Sequence, residues 1–160
     1  MLLNLAMLAK QAWRMIQHTH SLFYWVYKAW YFPSCSFIEV ELGYKPSYVW
    51  QSLLTTREVI LEGSRWRVGD GTKIVALYSN WLSNRLVFIG EERLSIKASD
   101  LIDTNTWQWD RLKVYETFTP RTRREILVVP LTRSRTRDTL IWKENRRHEF
   151  TIKSAYHVAL

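Results

Sequence analysis

Four histidines, three neighbouring aspartates, one cysteine and a set of arginines are the side chains in these 160 residues whose chemistry could serve a site. His18, His20, His148 and His157 do not fall at metal-ligand spacing. His18 and His20 lie two apart, which puts them on different faces of a helix or in a loop. Asp100, Asp103 and Asp110 are the acidic cluster. Asp100 and Asp103 share a helical face at three-residue spacing and could hold magnesium. No third carboxylate and no phosphate-handling glycine loop accompanies them, so capping roles fit better. Cys35 follows Pro33 in a polar turn, without the histidine context of a nucleophile, and no Gly-x-Ser-x-Gly elbow occurs. The reading is of a chain with no catalytic residues, no metal and no cofactor.

The arginines are a different matter. The net charge is +8, but residues 121–160 hold 10 Lys/Arg against 4 Asp/Glu, so +6 of it lies in the last quarter. Such a block favours a polyanion, RNA or DNA or an acidic membrane surface, or else is a solvated loop that keeps the chain soluble. Arg121, Arg123, Arg124, Arg133, Arg135, Arg137, Arg146 and Arg147 are the candidate phosphate contacts. They would position a strand by charge without reading its bases. No apolar run approaches the ~20 residues that span a membrane. The single cysteine argues for a reducing compartment, and a soluble intracellular protein is expected. Nine tryptophans invite a base-stacking role, but Trp13, Trp25, Trp50 and Trp66 fall on apolar faces where burial is expected.

The elements that would position these groups read as α+β, with several short helices and two β-hairpins. Apolar residues at helical spacing predict an amphipathic helix over 2–17. Ser21 caps a second helix, from Leu22 to about Phe32, stopped by Pro33. Lys28 is the only charge over Leu22–Tyr31, so this helix should be buried or should meet a partner. Ser47 opens a third helix, Tyr48 to about Glu62, with Trp50, Leu53, Leu54 and Leu61 facing inward and Gly63 ending it. Arg65–Val68 and Thr72–Tyr78 read as a hairpin across Gly69-Asp70-Gly71, turn glycines rather than a phosphate loop. Trp66 is the expected core anchor there, worth about 3–5 kcal/mol. Residues 83–105 are irregular, with a short strand near Leu86–Ile89. Asp110 caps a helix to about Thr117, or Trp109 begins it, and Thr119-Pro120 starts another that Pro130 closes. Thr139–Lys143 and Glu149–Lys153 form the second hairpin, and Ser154 caps a final, truncated helix.

The blocks Lys10-Gln11-Ala12-Trp13-Arg14, Lys28-Ala29-Trp30-Tyr31-Phe32-Pro33, Pro46-Ser47-Tyr48-Val49-Trp50 and Arg65-Trp66-Arg67-Val68-Gly69-Asp70-Gly71 occur in a specific order. Trp81-Leu82, Asp100-Leu101-Ile102-Asp103, Trp109-Asp110, Pro130-Leu131, Asp138, Trp142 and Phe150-Thr151-Ile152-Lys153-Ser154-Ala155-Tyr156 follow. This order resembles the region downstream of the polymerase core in plant non-LTR (LINE-type) retrotransposon polyproteins, leading into the reverse-transcriptase zinc-binding domain. The resemblance implies a fragment without the polymerase carboxylates, and no Tyr-x-Asp-Asp pair is present. It implies four segments: helical 1–62, a hairpin block 63–82, a connector 83–137 with the basic loop, and the opening of the zinc-binding domain at 138–160. Trp50, Trp66, Gly69, Gly71, Trp142 and Tyr156 become structural anchors. Nucleic acid or the remainder of a reverse transcriptase become partners, and a nucleus or plant mitochondrion the compartment. The family has a tryptophan before an Asp-Pro-Trp-Leu block, and this chain departs from it with Leu77, Ser79 and Asn80 in those places, and at His148, which replaces a turn glycine. Histidine tolerates positive φ better than most residues.

Overall fold

The computed structural model describes residues 1–132 and 136–160, and its architecture is the expected α+β. Two compact units divide the chain: Met1–Ser64 with Trp142–Leu160, and Arg65–Ile141. These units cut across the four segments drawn from the sequence. Residues 138–160 in particular are shared between the two.

In the first unit, α1 (Leu2–Gln17) buries Ala6, Ala9, Ala12, Trp13 and Met15. Its alanine face leaves room for close packing by α3 (Tyr48–Leu54), α4 (Arg57–Gly63) and α7 (Ile152–Val158). Two tryptophans with no exposed surface organise this unit, Trp50 and Trp142. Tyr31 stacks on Trp50 at 4.5 Å, with Phe32 at 5.6 Å and Phe37 at 5.8 Å edge-on. Trp142 meets Trp13 at 5.5 Å and Phe150 at 4.6 Å, and its indole N–H donates to Ser154 Oγ at 2.9 Å. Burying both body and N–H partner is the ordinary way a tryptophan is accommodated in a core.

Three expectations change here. The third helix is two: Thr55 and Thr56 interrupt it, their hydroxyls donating to the Ser52 and Leu53 carbonyls at 2.7 Å each. Such back-bonding competes with the helical ladder. The break resets the helical phase, so Val59 and Ile60 are buried and Leu61 is exposed. Second, α2 (Leu22–Tyr31) starts at its Ser21 cap as expected, but none of its residues is buried. Trp25, placed in the core by its pattern, is 57% exposed. Third, Glu149–Lys153 is not a strand. Asn145 closes a turn by accepting the Glu149 N–H at 3.1 Å, and Thr151, rather than Ser154, caps α7. His148 does take the positive φ of the glycine it replaces, +57°.

The second unit has little regular structure around a continuous core that includes Val68, Ile74, Trp81, Leu101, Trp109 and Phe118. Its elements are β1 (Ser64–Arg67) from Arg65 on, a short 3-10 turn at Ala98–Leu101, β2 (Ile102–Asp103), β3 (Gln108–Trp109), α5 (Arg111–Thr117), α6 (Pro120–Val128) and β4 (Thr139–Trp142) up to Ile141. β2 and β3 are antiparallel, with Ile102 opposite Trp109. The expected hairpin between Arg65–Val68 and Thr72–Tyr78 is not formed. β1 pairs instead with β4, more than 70 residues away by position in the chain, and Val75 makes a single bridge to Lys97. Trp66 is only partly buried against the core, so its removal should cost less than a full core tryptophan.

The reason lies in one side chain. Asp138 is buried, and its carboxylate accepts the backbone N–H groups of Gly69 (2.7 Å), Gly71 (2.8 Å) and Lys73 (2.9 Å). Those donors are drawn around Asp138, and the chain after Gly71 turns away from β1. Gly71 has φ +74°, with Ser99 N–H donating to its carbonyl at 3.1 Å. At Gly69 an added Cβ would lie 2.1 Å from the Thr136 carbonyl oxygen, so only glycine admits this approach.

Candidate nucleic-acid interface

Of the eight candidate arginines six are described, and they belong to two units. Arg133 and Arg135 lie outside the described residues. Arg146 and Arg147 are exposed on the first unit, in the turn closed by Asn145. Arg121, Arg123, Arg124 and Arg137 belong to the second unit, the first three on α6. That helix begins as expected, with Thr119 at its cap and Pro120 at its first position.

Within α6 the arginines have different fates. Arg124 is exposed. Arg121 is exposed too, but its guanidinium donates to Asn84 Oδ1 at 2.9 Å and lies 3.9 Å from Glu125. Asn84 in turn donates to Glu125 at 2.6 Å, forming a surface network. Arg123 is fixed more firmly. Its Nε donates to the Phe118 carbonyl at 2.6 Å, and the guanidinium lies over the Tyr115 ring of α5, 4.8 Å from the centroid. Sequence spacing gave no sign of this, because the restraint comes from a carbonyl where one helix ends and a ring on its neighbour. Arg137 is exposed beside Asp138, on the stretch leading to β4. The acidic members of the last quarter are partly spent: Asp138 on backbone amides, Glu125 on Asn84 and Arg121.

The other chemistry-bearing residues stay apart. Asp100 accepts the Lys97 N–H at 2.8 Å, Asp103 that of Asn105 at 2.9 Å, and Asp110 caps α5 through Lys113 N–H at 3.2 Å. Each is a turn or helix cap. The Asn105 amide holds the Asp103 carboxyl below the usual aspartate range. At Asp70 partial burial opposes ionisation, but the amide and hydroxyl of Thr72 outweigh it and the carboxyl is again held low. Among the described residues no group of three or more His, Cys, Asp or Glu side chains is placed to hold a metal. His18 and His20 line an open groove of about 610 Å³ at the α1–α2 junction with Gln11, Arg14 and Phe23. Cys35 lends its carbonyl to Lys28 Nζ at 2.6 Å. No helix among the described residues is long and apolar enough to cross a membrane.

No protein-family profile and no solved structure matches the chain. Two curated proteins of Arabidopsis thaliana are similar to it. An uncharacterized mitochondrial protein is 35% identical over 79 residues, covering 49% of this chain and 51% of that protein. A "Putative ribonuclease H protein" is 26% identical over 174 aligned positions, covering 98% of this chain and 27% of its own length. The chain thus spans about half of one relative and about a quarter of the other. These homologues are consistent with a retrotransposon-related protein.

Proposed function

We propose that this chain is a retroelement-derived segment of a LINE-type reverse transcriptase polyprotein, without catalysis of its own, that contacts nucleic acid through phosphates. The observation that carries the reading is the pairing of a +6 excess over residues 121–160 with exposed Arg121, Arg124, Arg137, Arg146 and Arg147. The alignment along nearly the whole chain with a small part of a much longer protein supports the fragment origin. Phosphate contact releases condensed counterions, so affinity falls with salt. With about four phosphates neutralised, the log–log slope of affinity against salt is expected at roughly −3 to −4. A flat dependence, or no binding at low salt, would rule the reading out.

The uncovered face of α2 favours a second reading, in which the segment packs on the rest of a reverse transcriptase. Leu22, Trp25 and Trp30 are 80%, 57% and 75% exposed. Contiguous apolar surface of this kind drives association. Light scattering on the purified chain should then show self-association, and a clean monomer would count against it.

A further inference from the structure

We infer that Tyr115 and Arg123 form a stacking platform for an unpaired base, so that the nucleic acid bound is single-stranded. The inference rests on the phosphate-contact reading above and deepens it.

Tyr115 lies on α5 and is 49% exposed. Arg123, from α6, covers one side of its ring at 4.8 Å, and the hydrogen bond to the Phe118 carbonyl holds the guanidinium there. A planar cation over an aromatic ring offers an extended π surface, and base–aromatic stacking is tolerant of sequence because every base has a π face. The bond to Phe118 uses one guanidinium N–H and leaves the others for phosphate oxygens. Positive charge flanks the platform. Arg111 is exposed one turn before Tyr115 on α5, at the spacing that puts two residues on one helix face, and Arg124 is exposed beside Arg123. A polyanion carrying flat rings matches this combination, and an apolar or acidic protein surface does not. In a duplex both faces of each base are already stacked, whereas a single strand presents them. Arg111 and Tyr115 fall outside the basic quarter, which is why counting charge along the chain passes over them.

The test titrates the full chain and its Tyr115→Phe, Tyr115→Leu and Arg123→Lys variants with three probes. These are a single-stranded DNA oligonucleotide containing 2-aminopurine, the same oligonucleotide as a duplex, and inorganic polyphosphate. The unaltered chain and Tyr115→Phe should prefer the single strand and quench the 2-aminopurine fluorescence. Tyr115→Leu should bind it about tenfold more weakly and lose the quenching, with polyphosphate affinity unchanged. Arg123→Lys keeps the charge but not the plane, and should lose quenching as well. Equal single-strand affinity and quenching in the unaltered chain and Tyr115→Leu, or a preference for duplex, overturns the platform and leaves the charge-based reading standing. Should Tyr115→Leu lose polyphosphate binding too, its fold has failed and Arg123→Lys decides; unchanged quenching there overturns the platform. An unaltered chain that binds neither oligonucleotide nor polyphosphate overturns both readings.

Discussion

Asp138 shows how far one side chain can redirect a segment. Placed where the basic loop ends, it accepts three backbone amides from a turn 65 to 69 residues earlier. A hydrogen bond to a charged group contributes about 1.5–3 kcal/mol, and leaving a buried donor without a partner costs a comparable amount. Asp138→Ala orphans three donors at once, of which those at Gly69 and Gly71 are buried. Unfolding in urea should show a loss of at least about 3 kcal/mol. A loss under about 0.5 kcal/mol, within the range of ordinary surface changes, would mean that the turn holds itself. At Arg123 the same scale is at work: a residue that reads as one more surface charge is pinned between a carbonyl and a ring.

At the scale of elements, short helices are joined by tight contacts that leave little room for substitution. α4 ends in Gly63, and a Cβ there would lie 2.1 Å from the Trp142 ring. Lys143 N–H also donates to the Gly63 carbonyl at 2.9 Å, which holds the two segments together. Gly63→Ala would favour the helix by propensity, yet overpacking a core typically costs about 1–3 kcal/mol. Packing should win, and the thermal midpoint should fall. A rise would show that Trp142 can yield. α2 is the opposite case: well capped and set against Trp50 through Tyr27 and Tyr31, it leaves Leu22, Trp25 and Trp30 exposed.

For the whole molecule, the first unit is built from both ends of the chain. Trp142, Phe150 and Ala155 complete a core whose other members include residues of α1, α3 and α4 and the segment Phe32, Phe37 and Val40. A chain ending at Ile141 would strip Trp142 and its neighbours from that core, where loss of one buried tryptophan alone costs about 3–5 kcal/mol. Such a chain should bind a hydrophobic dye and melt well below the intact one. An unchanged melting profile would show that residues 1–64 are stable without the returning segment. The second unit follows another logic, with few regular elements around a continuous apolar core.

The sequence by itself determined several features of local structure. Helical periodicity and the Ser21, Ser47, Asp110 and Thr119 caps located the starts of five elements, because capping is chemistry between near neighbours. The positive φ at Gly71 and His148 was legible for the same reason. The basic excess was legible as composition, and the block order as a likeness to retrotransposon-related proteins. Tertiary structure decided what depends on distant partners. β1 pairs with β4 rather than with its neighbour because Asp138 claims the intervening amides. Leu61 and Trp25 are exposed because a threonine break and an unused helix face override their patterns. Arg123 sits over Tyr115 because two helices bring them together. Spacing along the chain reports which side chains share a face, while burial and pairing depend on what the rest of the fold places opposite that face.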